Sequence, residues 1–243
     1  MPSQPLYKQV KDQIVESLVR NEWQPNEMIP SEKQLATQYG VGISTIRAAI
    51  GELVVSGVLV RTQGKGTYVA HHSDHGNVYR FFNVVSSNGE KQPFYRELLS
   101  LRKEKADIKA ATGLQFPPGR RTPEIYRLRI KLSAASAQVA LAEIVVPAHL
   151  FPGLDVKAVP DGRASLYALF QANHGVNIIR VVESIYAVCA AASVAKVLGI
   201  DPSEPLLQID RTAFTFNDVP VELRTTWVHT RHYHYSMAQG APG

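Results

Sequence analysis

Pro30-Ser31-Glu32-Lys33-Gln34-Leu35-Ala36-Thr37-Gln38-Tyr39-Gly40-Val41-Gly42-Ile43-Ser44-Thr45-Ile46-Arg47-Ala48-Ala49-Ile50 reads as two short helices joined by a tight turn. Ser31 and Gln34 have the spacing of a capping box, so a helix starts there, with Leu35 and Ala36 as its apolar positions. Gly40 ends it, because a helix terminus often needs a left-handed residue and glycine adopts that conformation without a Cβ clash. The second helix carries Ile46, Ala49, Ile50 and Leu53 on one face, with Ser44, Thr45 and Arg47 on the other near its N-terminus. This geometry places a recognition helix in the major groove of DNA. An ordinary helical hairpin in a protein core has the same spacing, so the flanking sequence has to decide.

Upstream, Leu6, Val10, Ile14, Leu18 and Val19 recur at helical spacing, giving a first helix that ends near Asn21. Downstream of Gly57 the pattern becomes β: Val58-Leu59-Val60, then a turn at Thr62-Gln63-Gly64-Lys65-Gly66, then Thr67-Tyr68-Val69. Three helices and a hairpin with a glycine-rich basic tip make a winged helix-turn-helix. Its glycines allow close approach to DNA phosphates, and its tip can reach the minor groove.

Charge placement is uneven. Residues 1–70 hold seven Lys/Arg against six acids, whereas residues 80–131 hold twelve against five. Bulk charge therefore does not mark the helical pair as a polyanion binder; the positions of the charges do. The single cysteine, Cys189, excludes an internal disulfide framework and a multi-cysteine metal site. No stretch has the length and apolarity of a membrane span, and no signal peptide is evident, so a cytoplasmic protein is expected. Residues 71–79, with three histidines in five residues, read as a solvated linker rather than a metal tract, because nothing nearby completes a coordination set.

Pro5-Leu6-Tyr7, Ile29-Pro30-Ser31-Glu32, Thr45-Ile46-Arg47 and Gln63-Gly64-Lys65-Gly66-Thr67-Tyr68-Val69 resemble the GntR family of bacterial transcription regulators, without a gap over residues 5–70. The resemblance implies a homodimer on double-stranded operator DNA. It implies DNA contacts by Lys33, Ser44, Thr45 and Arg47 in the helices and by Gln63, Gly64, Lys65 and Gly66 in the wing. Where the family often has Ser-Arg or Thr-Arg, this chain has Gly42-Ile43. Arginine there can make a bidentate contact to guanine; Ile43 can only pack on a thymine methyl or into the turn.

Beyond the linker the chain mixes strand and helix signals. Strands are expected near 79–86, 96–105, 124–132, 139–147, 178–188, 205–216 and 221–230, and helices near 107–113, 165–174 and 190–199. The chain is thus α+β, with a winged helix-turn-helix at 1–70 and an antiparallel-sheet domain at 80–243. The latter, through Tyr126-Arg127-Leu128-Arg129, Ala142-Glu143, Leu150-Phe151-Pro152-Gly153-Leu154 and Pro220-Val221-Glu222, is similar to the UTRA effector domain of HutC-type regulators and to the chorismate lyase fold.

That resemblance implies a small polar, often anionic, effector held by Arg127, Arg129, Glu143, Ser165, Glu222 and Tyr233. Arg127 and Arg129 share one strand face and could fork a carboxylate or phosphate, or else pair with Glu143 and Glu222. Phe94-Tyr95-Arg96 could line the pocket entrance. The Lys131–Val139 turn has small residues where the family has a charged Asp-Gly hairpin, which leaves the register of Glu143 open. No catalytic triad or zinc spacing is present, and fold likeness to a lyase confers no reaction, so neither an enzyme nor a cofactor or metal is expected. The reading is a regulator, a repressor of a catabolic operon released by a metabolite. The alternative is the same DNA-binding dimer with a C-terminal domain used only for dimerisation.

Overall fold

A computed structural model describes residues 4–20, 22–71, 81–89, 94–119, 121–134 and 137–237. Most of the predicted 71–79 linker, the start of the strand expected from Tyr79, and positions 135–136 of the hairpin turn fall outside them. The chain divides into two compact units, residues 1–74 and 75–243. Among the described residues no helix is long and apolar enough to cross a membrane.

The first unit holds α1 (Leu6–Val19), α2 (Glu32–Tyr39), α3 (Ile43–Val55), β1 (Leu59–Thr62) and β2 (Gly66–Val69). The capping box forms as the spacing requires. The Ser31 hydroxyl accepts from the Gln34 N–H at 3.3 Å, while the Gln34 side chain accepts from the Ser31 N–H at 2.9 Å. Gly40 closes α2 in the left-handed region at φ 64°. α1 and α2 pack on α3, which buries Ile46, Ala49, Ile50 and Leu53. α1 buries Val10, Ile14, Val15 and Leu18; Leu6 and Val19, apolar in the same pattern, lie at its ends and stay exposed. β1 and β2 pair antiparallel from Leu59↔Val69 to Thr62↔Gly66, and residues 26–29 add to the free edge of β2 through Ile29 N–H to Thr67 O and Val69 N–H to Glu27 O, both 2.9 Å.

The second unit is built on a six-stranded antiparallel sheet of order β4-β5-β6-β9-β8-β7. These strands are β4 (Tyr95–Lys105), β5 (Glu124–Ala134), β6 (Ala137–Pro147), β7 (Arg180–Cys189), β8 (Pro205–Phe214) and β9 (Pro220–His229). Helices α4 (Ile108–Gly113), α5 (Leu166–His174) and α6 (Ala192–Leu198) cover it, and β3 (Val84–Ser86) pairs with β10 (Tyr233–Tyr235) in a small separate ribbon. Alternation along the strands separates the two faces. Tyr126, Leu128 and Ile130 of β5 join Ala142, Ile144 and Val146 of β6 in the core under α5. Ile125 and Val145 point the other way, against α4, and Leu141 packs with α6. Glu143 sits opposite Arg129 on β5 and Thr225 on β9, which settles its register.

Candidate nucleic-acid interface and ligand pocket

In the first unit, Lys33, Ser44 and Arg47 are exposed and Thr45 half-buried, all clear of the apolar face of α3. Ile43, the first residue of α3, is 44% exposed, so it lies on the same surface rather than inside the turn. At the hairpin tip Gln63, Gly64, Lys65 and Gly66 are all exposed. Gly64 and Gly66 have φ of 73° and 128°, so the tip demands glycine on conformational grounds; a Cβ on Gly66 would also lie 2.9 Å from the sulfur of the exposed Met28, whose side chain can shift aside.

Glu32, in the first turn of α2, ties these parts together. It accepts from Arg47 of α3 at 3.0 Å and from Arg61 of β1 at 2.8 Å. Arg61 was not singled out from sequence. Its shared partner with Arg47 makes it the equivalent basic group on the wing side, and alternation on a short exposed strand was the only signal for it.

The second unit contains a cavity of about 110 Å³ between the sheet and the start of α5. Four arginines reach it: Arg96 of β4, Arg163 just before α5, Arg211 of β8 and Arg224 of β9. Two of them carry their own counter-charges. Arg211 meets Glu183 at 2.6 Å, and Arg224 forks Glu222 through contacts of 2.9 and 2.7 Å. The Tyr167 hydroxyl sits between these pairs, donating to Glu222 at 2.8 Å and receiving Arg211 at 3.2 Å. Burial alone would lower the Arg211 pKa, but Tyr167 and Glu183 outweigh it and the net direction is up.

Arg96 differs. It is 5% exposed and has no carboxylate within ion-pair distance among the described residues. Its terminal nitrogens donate to the carbonyls of Ala164 and of Pro160, the latter at 2.6 Å, and its Nε–H has no acceptor. Asp161 acts on it only through space, because that carboxylate accepts from the Leu98 N–H at 2.8 Å. Burial pushes the Arg96 guanidinium below its ordinary value, with the nearby Arg224 adding to that direction and Asp161 opposing it. The first turn of α5 borders the same space, and Ser165, its N-cap, makes no capping bond through its side chain. Helix N-termini present backbone N–H groups to anions.

The six residues expected to hold an effector are not brought together. Ser165 lines the cavity; Glu222 is fully buried behind it, holding Arg224 and Tyr167; Tyr233 is buried behind Phe94, with ring centres 5.8 Å apart. Arg127, Arg129 and Glu143 lie on the opposite sheet face. There Arg127 pairs with Glu104 at 2.6 Å and Asp107 at 2.9 Å, and Arg129 with Glu143 at 3.1 Å. The face is decided by strand parity, since Tyr126 and Leu128 take the core side. A groove of about 330 Å³ on that far face includes Arg127 and Glu143, with Arg127 already neutralised. Of the expected Phe94-Tyr95-Arg96 entrance, Phe94 and Arg96 do line the cavity and Tyr95 turns to solvent. Arg163, Tyr167, Arg211 and Arg224 were missed, because only the pairing of distant strands brings them to one place.

The chain matches the family model for bacterial regulatory proteins of the gntR family over residues 6–69 and that for the UTRA domain over residues 94–234. It is 29% identical to the HTH-type transcriptional regulator YurK of Bacillus subtilis over 97% of this chain and 96% of that protein. It is 28% identical to the histidine utilization repressor of Klebsiella aerogenes over 94% and 92%. The ligand-binding domain of a GntR-family transcriptional regulator from Bordetella bronchiseptica superposes with a TM-score of 0.62 at 29% identity, covering 67% of this chain and 99% of that one. With a capped helix pair and basic hairpin in one unit and a sheet-and-helix pocket in the other, the chain belongs to the GntR family of transcription regulators, in the branch that carries a UTRA domain.

Proposed function

We propose that this regulator is a cytoplasmic repressor that binds a two-fold operator as a homodimer and leaves it when a small anionic metabolite fills the cavity of the second unit. Arg96 carries the effector part of this reading: a buried guanidinium with an unused N–H and no carboxylate partner is costly unless an anion answers it. Arg163 at the cavity mouth supplies a second cation, and Ser165 with the start of α5 supplies further donors. For DNA, Ser44, Thr45 and Arg47 address the major groove, Lys33 and Arg61 the backbone, and Gln63 to Gly66 the neighbouring minor groove.

The second copy is best accommodated along β7. This edge strand is exposed on both faces, carries Val182, Ile185 and Tyr186 outward, and has no charged residue from Ser184 to Cys189. Its one acid, Glu183, is engaged by Arg211 and Tyr235. Two such edges can meet antiparallel without like charges, and that contact closes as a two-fold. The opposite edge, β4, is charged, bulged at Leu98/Ser100 and bridged by Gly162.

Selection of the protein's site from a random duplex library tests the first half: the expected product is an inverted repeat. A thermal-shift screen of anionic metabolites, followed by operator release with each hit, tests the second. A domain that served dimerisation alone would respond to none.

A further inference from the structure

The cavity lining combines two unlike sets of side chains. One is the four arginines. The other is apolar and includes Phe82, Phe94, Ile130 and Leu132, with Phe82 and Phe94 edge to face at 5.1 Å between ring centres. Neutral polar side chains are nearly missing from this lining. Among the described residues it contains no Asn, Gln, Thr, His, Asp or Glu. The Tyr167 hydroxyl is committed to Glu222 and Arg211, which leaves Ser165 as the one uncommitted hydroxyl.

From this division, and granted that the cavity is the effector site, we infer that the regulator senses an organic acid with an apolar body, an aryl or branched-alkyl carboxylate, and discriminates against hydroxyl-rich sugar phosphates. The charge on the cavity agrees. Arg211 and Arg224 are offset by Glu183 and Glu222, so only Arg96 and Arg163 await an anion. Arg163 is exposed at the cavity and has no carboxylate partner among the described residues; a carboxylate lies flat against such a guanidinium edge, with Arg96 as the second cation of the lining. The rest of such a ligand is buried against phenylalanine and leucine side chains, which ask for no hydrogen bond. Each sugar hydroxyl placed there instead gives up its water partners and finds none, and unpaired polar groups are what polar-apolar selectivity punishes most.

Calorimetric titration of the full chain with phenylacetate, 4-methylpentanoate, glucose 6-phosphate and inorganic phosphate tests this. The two apolar acids are expected to bind at least about tenfold more tightly than either phosphate compound. Phe94→Ser is expected to abolish that preference. Ala142→Ser, which adds one hydroxyl to the cavity wall at almost constant volume, provides the same readout if the first variant folds poorly. Glucose 6-phosphate binding as tightly as the acids, or a preference untouched by both variants, overturns the inference while leaving the cavity as an anion site. Binding of none of the four, or binding indifferent to Arg163→Ala, overturns the effector reading itself.

Discussion

Arg96 and Arg127 carry the same group on neighbouring strands, yet their surroundings assign them opposite duties. Arg127 is held between Glu104 and Asp107 at the surface of the far face; Arg96 is buried and forms no ion pair among the described residues, with Asp161 acting on it only through space. Arg96→Met should therefore remove the effector response in an operator-release assay, and Arg127→Ala should leave it intact. Arg96 also clasps the carbonyls of Pro160 and Ala164, so circular dichroism of the variant has to show a folded domain before the loss is ascribed to binding. The exposed Arg163→Ala, which has no such clasp, should weaken effector binding in the same direction. On the DNA side, Arg47→Ala should cost about 1–3 kcal/mol of operator affinity, read by fluorescence anisotropy. Part of the Arg47 charge is spent on Glu32 in the free protein, and Glu32→Gln should release Arg47 and Arg61 together, strengthening nonspecific binding relative to specific binding.

Each short element is stabilised by a few local contacts. The capping box of α2 satisfies two backbone N–H groups at once, and Ser31→Ala should lower unfolding free energy by about 1 kcal/mol, a shift visible in a thermal melt. The wing is a lever on electrostatics rather than stability. Lys65 is exposed at the tip between two glycines of positive φ, so Lys65→Ala should leave the melt unchanged and reduce the salt slope of DNA binding by about 1. Recognition of these elements from sequence was direct: Ser31, Gln34, Gly40, Gly64 and Gly66 each impose their geometry over three or four residues. Of the β3–β10 ribbon, β3 falls within the strand expected near 79–86, but its pairing with β10 was not legible, since the two halves are separated by most of the domain.

At the level of the whole protein, the proposed function has effector and operator compete through one shared equilibrium, in which each weakens the other by the same factor. That reciprocity is checkable: saturating operator should raise the apparent Kd of the effector as much as effector raises that of the operator. Dimerisation along β7 yields a further expectation. Ile185→Lys places a charge in the middle of the uncharged edge, where a two-fold contact would bring it close to its own copy. Sedimentation equilibrium should then report a monomer, with operator affinity falling steeply while binding of a small effector persists. A dimer unchanged by this substitution would move the interface elsewhere.

Local chemistry in the chain was enough to determine the winged unit, because caps, turn glycines and helical periodicity act between residues a few positions apart. It also determined the antiparallel character of the second unit and its excess of basic residues. Which arginines face the cavity was decided by tertiary structure alone. Strand parity sends Arg127 and Arg129 to one face, while strand order carries Arg96, Arg211 and Arg224, far apart in the chain, to the other beside the start of α5. Side-chain direction inverts with every residue along a strand, so a site that draws arginines from three strands and from the segment before α5 depends on a register that no short motif encodes.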